Sequence, residues 1–211
     1  MGLVKINNRE KKLIVLDGNI SSGKTTIGNE LAKTGLLAFL EEPVLEWQTK
    51  YSENILDLFY KDKKRYSYMF QSAAFLTRAK TWDEILKMTD HSNVIMERSI
   101  FSDRFVFARM LHESGDMLDI EWELYCEMWE WLNKRWCNEP DTIVYIKTSP
   151  EICFERMGGR GRQEETGVSL GYLKDLHRMH EEWLGDLDNV ITIDGSLPFN
   201  TEDILTELNI I

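Results

Sequence analysis

One octapeptide constrains this chain more than any other segment: Gly18-Asn19-Ile20-Ser21-Ser22-Gly23-Lys24-Thr25. It completes the pattern GxxxxGK(S/T), with Thr26 next. It stands between an apolar run, Leu13–Asp17, and a stretch of helical period, Lys24–Lys33. A strand, a glycine turn and a helix in that order make a phosphate cradle. The glycines let the backbone turn its N–H groups toward phosphate oxygens. The helix start adds free N–H groups and the positive end of its dipole. Lys24 supplies a mobile cation, and the Thr25 hydroxyl is a hard oxygen ligand for Mg²⁺. A nucleoside triphosphate is the predicted ligand. The alternative, a glycine turn that happens to carry a lysine, is disfavoured by the flanking strand and helix.

Four more short runs rich in Ile, Val and Leu follow, at Leu36–Leu40, Asn93–Glu97, Thr142–Lys147 and Val190–Asp194. They do not alternate strictly, as expected of parallel strands covered on both faces. Helical period fills the intervals: Ile55 to about Met88 as two helices, then Ser102–Glu113, Leu118–Trp136, Pro150–Met157 and Leu170–Leu184. This alternation predicts an α/β fold, a five-stranded parallel sheet flanked by helices, in one domain over residues 1–211. The formal charge of −11 argues against broad binding of nucleic acid. Cys126, Cys137 and Cys153 are an odd number with no CxxC pair, which fits a reducing compartment. The N-terminus has no apolar stretch of signal-peptide type and carries Ile6 where myristoylation expects Ser or Thr, and no apolar run reaches membrane-spanning length. A cytoplasmic protein without a membrane partner is expected.

The second run ends in Glu41-Glu42-Pro43-Val44. Ligands of parallel α/β sheets sit at the carboxyl ends of the strands, so Glu42 is the candidate base for a hydroxyl that receives a phosphoryl group. Two solvated charges on a turn are the plainer reading. Glu97-Arg98-Ser99 ends the third run; Glu97 could hold Mg²⁺, directly or through water, and Arg98 an oxygen near the transfer point, or the two could form a strand-end ion pair before a Ser cap. Between 156 and 165, Arg156, Arg160 and Arg162 alternate with Gly158, Gly159 and Gly161. Arginines bind phosphate bidentately and glycines supply hinges, so residues near 158–167 read as a lid over triphosphate, or else as a flexible loop. The GTPase signatures DxxG and NKxD are absent.

Taken together, GNISSGKTT (18–26), EPVLEW (42–47), LFYKDKKRYSYMFQS (58–72), ERSIFSDRFVF (97–107), RGRQEE (160–165) and TIDGSLPF (192–199) resemble the deoxynucleoside kinase family over nearly the whole chain. The resemblance implies a P-loop NTPase three-layer fold, ATP as phosphate donor with Mg²⁺, and phosphorylation of a nucleoside 5′-hydroxyl. Glu42 would take the proton, and Arg98 would hold that oxygen and the moving phosphoryl. Lys24, Thr25 and Glu97 would serve phosphates and Mg²⁺, Arg160 and Arg162 would be lid arginines, and Arg156 would lie over the adenine, near Phe199. Tyr60 and Glu165 would bind the sugar 3′-hydroxyl. Trp47, Phe70 and Phe107 would wall the base pocket, with Ile20, Val44, Leu56 and Ala74 around it and Gln71 pairing with the base edge. One departure is Pro198 before Phe199, where the deoxycytidine branch of the family has an acidic residue.

Arg78 and Asp103 would pair facing the base, at places where the thymidine-preferring relatives carry apolar residues. Such a pair suits deoxycytidine or a deoxypurine and leaves little room for the 5-methyl of thymine. A structural ion pair is the alternative. Leu118, Trp122, Tyr125, Trp129, Leu132 and Trp136 recur at helical spacing and read as core. Leu124, Met128 and Trp131 beside them suggest contact with a second subunit, and the family's habit implies a homodimer. His177, His180 and Glu181 read as a polar helix face, and Trp82 and Trp183 as packing residues. Two other functions stay open on the residues: a nucleoside monophosphate kinase of thymidylate-kinase type, and a non-catalytic nucleotide-binding regulator.

Overall fold

The computed structural model of the protein describes residues 11–136 and 139–211, without the side chains of residues 135 and 136. The expectations for residues 1–10, for Cys137 and for the side chain of Trp136 lie outside the described residues. The elements run β1 (Lys12–Asp17), α1 (Lys24–Ala32), β2 (Ala38–Leu40), α2 (Val44–Thr49), α3 (Ile55–Lys61), α4 (Lys63–Met88) and β3 (Asn93–Glu97). Then α5 (Ile100–Ser102) passes through a π-helical turn (Asp103–Ala108) into α6 (Arg109–Glu113). There follow α7 (Asp119–Trp136), β4 (Thr142–Lys147), α8 (Pro150–Arg160), a 3₁₀ turn (Gln163–Gly167), α9 (Leu170–Leu184), β5 (Val190–Asp194) and α10 (Thr201–Glu207).

The five strands form one parallel sheet in the order β2-β3-β1-β4-β5. β1, β3 and β4 are buried on both faces, which is why they read as continuous apolar runs. The chain leaves β1 toward one side of the sheet and later returns to its other side. The carboxyl ends of β1 and β3 therefore open onto the crevice where such sheets bind ligands. Their register is tight there: Leu16 lies opposite Glu97, and the Arg98 amide donates to the Leu16 carbonyl at 2.8 Å.

One apolar cluster lies under α4, the π turn, α7 and α9, with Phe75, Trp82, Tyr125 and Leu173 in its centre. A second packs β1, β3 and β4 against α1 and α10 through Ile14, Ile95, Leu31 and Leu205. The strand expected over Leu36–Leu40 shortens to three residues because β2 is an edge with a single neighbour, and Leu36 is exposed. The helix expected from Ser102 begins at Ile100, since the Ser99 side chain accepts from the Phe101 and Ser102 amides. Its π turn brings Asp103 and Phe107 to one side. The expected helix Pro150–Met157 runs on to Arg160, so Gly158 and Gly159 are helical rather than hinges; Gly161 caps the helix at φ +68°.

Two further expectations fail. Leu118 is not core but exposed, because it precedes α7 and points away from the bundle. His180 is not on a polar face: it is fully buried against Asp17 and Tyr145, while His177 and Glu181 remain partly exposed. Among the other described apolar positions of α7, Tyr125, Trp129 and Leu132 are buried, Trp122 and Met128 are half-buried against the same cluster, and Leu124 and Trp131 are exposed. Trp82 is core, and Trp183 stacks on Phe105.

Candidate active site

The turn after β1 is built for close backbone approach. Gly18 has φ +142°, and a Cβ there would come within 2.6 Å of the Ile146 carbonyl oxygen. Gly23 caps α1 at φ +111°. Lys24 folds back, its Nζ donating to the Asn19 carbonyl at 2.7 Å and the Gly18 carbonyl at 3.2 Å. Burial, aided by Arg98, pushes the Lys24 ammonium down to about 8 against the pull of Glu97 and Glu42. The Thr25 hydroxyl donates to Glu97 Oε2 at 2.7 Å. Asn19 turns its side chain away from the cavity and donates to the Leu173 carbonyl at 2.8 Å, so it fixes the loop to α9.

A cavity of about 770 Å³ opens between this loop, α2–α4, the end of β3 and the segment after α8. Every residue singled out above for nucleotide or substrate lines it, except Gly18 and Asn19, which shape the loop from behind. At its centre Glu42 Oε1 accepts from Arg98 Nη1 at 2.7 Å and from Arg78 Nη2 at 2.6 Å. Burial pushes the Glu42 carboxyl up, but the two guanidinium groups outweigh it and hold the carboxyl well below the usual range. Arg98 is in the left-handed region at φ +61°, which turns its side chain from the strand end back over the loop, 3.3 Å from the Gly18 carbonyl.

Arg78 reaches the same point from the middle of α4. Its Nε donates to both oxygens of Asp103, at 2.9 and 3.0 Å, and its guanidinium lies over the Trp47 ring at 5.1 Å. The aromatic wall continues with Phe70, edge-on to Trp47 at 5.3 Å and stacked on Phe59 at 4.7 Å. Phe107 closes the other side beneath Arg98 at 4.7 Å. Three buried polar atoms of cavity-lining residues have no protein partner among the described residues: Ser21 Oγ, Gln71 Oε1 and Arg98 Nε. Each is a hydrogen-bonding group left for a ligand.

The arginine-rich segment is drawn inward. Arg160 Nη2 donates to both oxygens of buried Glu165, at 2.7 and 2.6 Å, and Arg162 Nη1 to Oε1 at 2.9 Å. Arg156 Nη1 donates to the Ser22 carbonyl at 3.3 Å. Sequence reasoning gave no role to Phe59 or Tyr172, both of which line the cavity, nor to the Asp194–Leu197 turn, which lines it too although the motif over 192–199 spans it. Phe59 sits beside Tyr60 and carried that signal; Tyr172 did not, because α9 reaches the cavity only through the fold.

Residues 14–209 match the family model described as deoxynucleoside kinase. A probable deoxycytidine kinase of fowlpox virus is 43% identical over 175 residues, covering 83% of this chain and 72% of the viral protein. A mitochondrial deoxyguanosine kinase of Xenopus laevis is 36% identical over 194 residues, covering 82% and 73%. Mitochondrial thymidine kinase 2 of Homo sapiens is 35% identical over 181 residues, covering 85% and 67%.

Proposed function

Because the chain belongs to the deoxynucleoside kinase family and is therefore a phosphotransferase, we propose that it moves the γ-phosphoryl of ATP to the 5′-hydroxyl of deoxycytidine or a deoxypurine, with Glu42 as the base. The observation that carries this reading is the ionised Glu42 between Arg98 and Arg78 at the mouth of the phosphate loop. A carboxylate there accepts a hydrogen bond from an uncharged alcohol and repels an acceptor that already bears a phosphate. This disfavours a nucleoside monophosphate kinase. Phosphoryl transfer runs through a loose transition state, so the alcohol proton leaves late and an oriented, weakly basic carboxylate suffices. Deoxycytidine should be phosphorylated and deoxycytidine monophosphate should not; the reverse result, or ATP binding without ADP release on adding nucleoside, ends the proposal.

Arg98 steadies the transferring group, and Lys24 with the loop amides holds the donor phosphates. Arg160 and Arg162 exchange Glu165 for triphosphate when substrates arrive, and Tyr60 with Glu165 takes the sugar 3′-hydroxyl. Gln71 offers its unpartnered carbonyl to the base edge. The Thr25 hydroxyl and the Glu97 carboxylate, hydrogen-bonded to each other, are the hard oxygens that suit Mg²⁺, which takes few protein ligands and its remaining ones from water and phosphate. Mg²⁺ bound there would neutralise charge on the phosphates. Arg156 and Phe199, which line the same cavity, would meet the donor base.

Nucleotide affinity should weaken above neutral pH. Phosphate favours the ammonium form of Lys24, whose free-enzyme value is about 8, so binding takes up a proton once the pH exceeds that value. The dissociation constant for ATP should rise about tenfold from about pH 7 to about pH 9. Calorimetry in two buffers of different ionisation enthalpy would show the uptake, and a flat profile would refute it.

The exposed apolar face formed by Leu124 and Trp131 of α7 with Met69 and Leu76 of α4 suits a second copy of the chain. Sedimentation should give a dimer that Leu124→Glu dissociates. A cytoplasmic location completes the reading; among the described residues no helix is long and apolar enough to cross a membrane.

A further inference from the structure

Behind the phosphate loop, outside the cavity, lies a buried polar cluster that the chemistry above does not use. Asp17, the last residue of β1, is fully buried. Its Oδ1 accepts from the Gly18 amide at 2.8 Å, and its Oδ2 accepts from the Ser102 hydroxyl. The Ser102 oxygen in turn accepts from the Ser99 amide at 3.1 Å, which leaves its own proton for Asp17. His180 of α9, also fully buried, completes the cluster with Nε2 3.2 Å from Asp17 Oδ1.

The other ring nitrogen fixes the protonation. His180 Nδ1 lies 2.7 Å from the Leu176 carbonyl oxygen, which can only accept, so Nδ1 carries a hydrogen. A neutral ring would then turn the bare lone pair of Nε2 toward a carboxylate oxygen. The pair must hold one more proton between them. Both carboxylate oxygens of Asp17 already accept, Oδ1 from the Gly18 amide and Oδ2 from the Ser102 hydroxyl, so the geometry assigns the proton to the ring. Against burial, the hydrogen bonds from His180 and Ser102 and the nearby charges hold the Asp17 carboxyl below its ordinary value.

We propose that His180 is a buried imidazolium and a positioning residue for the donor phosphates: it balances the Asp17 carboxylate, which holds the first amide of the phosphate loop. An uncompensated anion one residue before the loop would repel triphosphate through a medium of low dielectric. The loop needs that carboxylate, because Gly18 also offers its carbonyl to Lys24 and Arg98 and must keep its orientation. α9 grips the next residue as well, through the Asn19 side chain and the Leu173 carbonyl. The other groups facing the ring leave Asp17 as its counterion. Tyr145 of β4 stacks parallel to it at 5.9 Å, with its phenol donating to Glu181, which is paired to Lys147. Phe107 meets it edge-on at 6.3 Å, His177 lies one turn earlier on α9, and Arg98 acts on Asp17 through space.

Nuclear magnetic resonance of the whole enzyme with isotope-labelled histidine tests the charge. Both ring nitrogens of His180 should carry a hydrogen in the folded enzyme, each with a proton coupling of its own. A ring that carries a hydrogen on one nitrogen only overturns the proposal. Kinetics test the role: His180→Gln should raise KM for ATP about tenfold with KM for the nucleoside nearly unchanged, and adding Asp17→Asn should recover most of the loss. Equal losses in both KM values, or no recovery in the double variant, would make His180 a packing residue and overturn the proposal. If His180→Gln does not fold, the spectrum of the unsubstituted enzyme decides.

Discussion

Glu42→Gln lowers kcat by about 10²–10⁴-fold, the range that general-base removal typically costs. The amide keeps an oxygen for Arg98 and Arg78 but has neither the charge nor the basicity to receive the alcohol proton. KM for ATP should change little, since the loop amides and Lys24 do not depend on Glu42 for position. The substitution leaves Arg98 without its carboxylate in a buried place, so some stability is lost with the rate. A melting temperature measured beside kcat separates the two effects. The carboxyl of Glu42 lies below its ordinary value in the folded state, so its ion pairs contribute their full stability above that ordinary value and lose it progressively as the pH falls from there through the depressed one. An acid limb of kcat/KM near pH 4 to 5 is therefore not expected from Glu42. Undiminished turnover by the variant would end the assignment.

The second large effect is on specificity. Arg78→Met with Asp103→Ala should shift the ratio of kcat/KM toward thymidine over deoxycytidine by about 10²-fold or more, because a site with buried donors discriminates strongly against the wrong hydrogen-bonding edge. The two changes belong together: Asp103 is buried and takes both of its hydrogen bonds from Arg78, so removing the arginine alone leaves a buried, unpaired carboxylate. The tertiary structure adds a cost that the pairing alone does not show. Arg78 also donates to Glu42, so the double variant should lose kcat on deoxycytidine while it gains thymidine activity. A variant that keeps the original preference would show that the pair is structural, and a wild-type enzyme that prefers thymidine would remove the substrate assignment altogether.

Much of this protein is legible along the chain. The strands of the sheet centre announce themselves as apolar runs because both of their faces are covered, and β3, β4 and β5 begin and end where the pattern does. The phosphate loop is legible because its geometry is local: turn, amides and helix start are consecutive residues. Weaker signals misled. Gly158 and Gly159 suggested a hinge, but α8 absorbs them, since Arg160 is held by Glu165 and the helix reaches its cap at Gly161. The short α2 and α10 are not legible along the chain, because six or seven residues give little periodicity and neither adjoins a longer helical pattern as α3 does.

His180 shows the boundary most clearly. Its neighbours His177 and Glu181 are partly exposed, and nothing in its spacing says that β1 ends beneath it. The sequence by itself determined the strands of the sheet, the longer helices and the phosphate loop, because those depend on groups near in the chain. The tertiary structure alone decided that Arg78 reaches Glu42 across 36 residues and that Asp17 meets His180 across 163. Charge and hydrogen bonding act over a few ångströms of space, and only the folded sheet brings residues so distant in sequence within that reach.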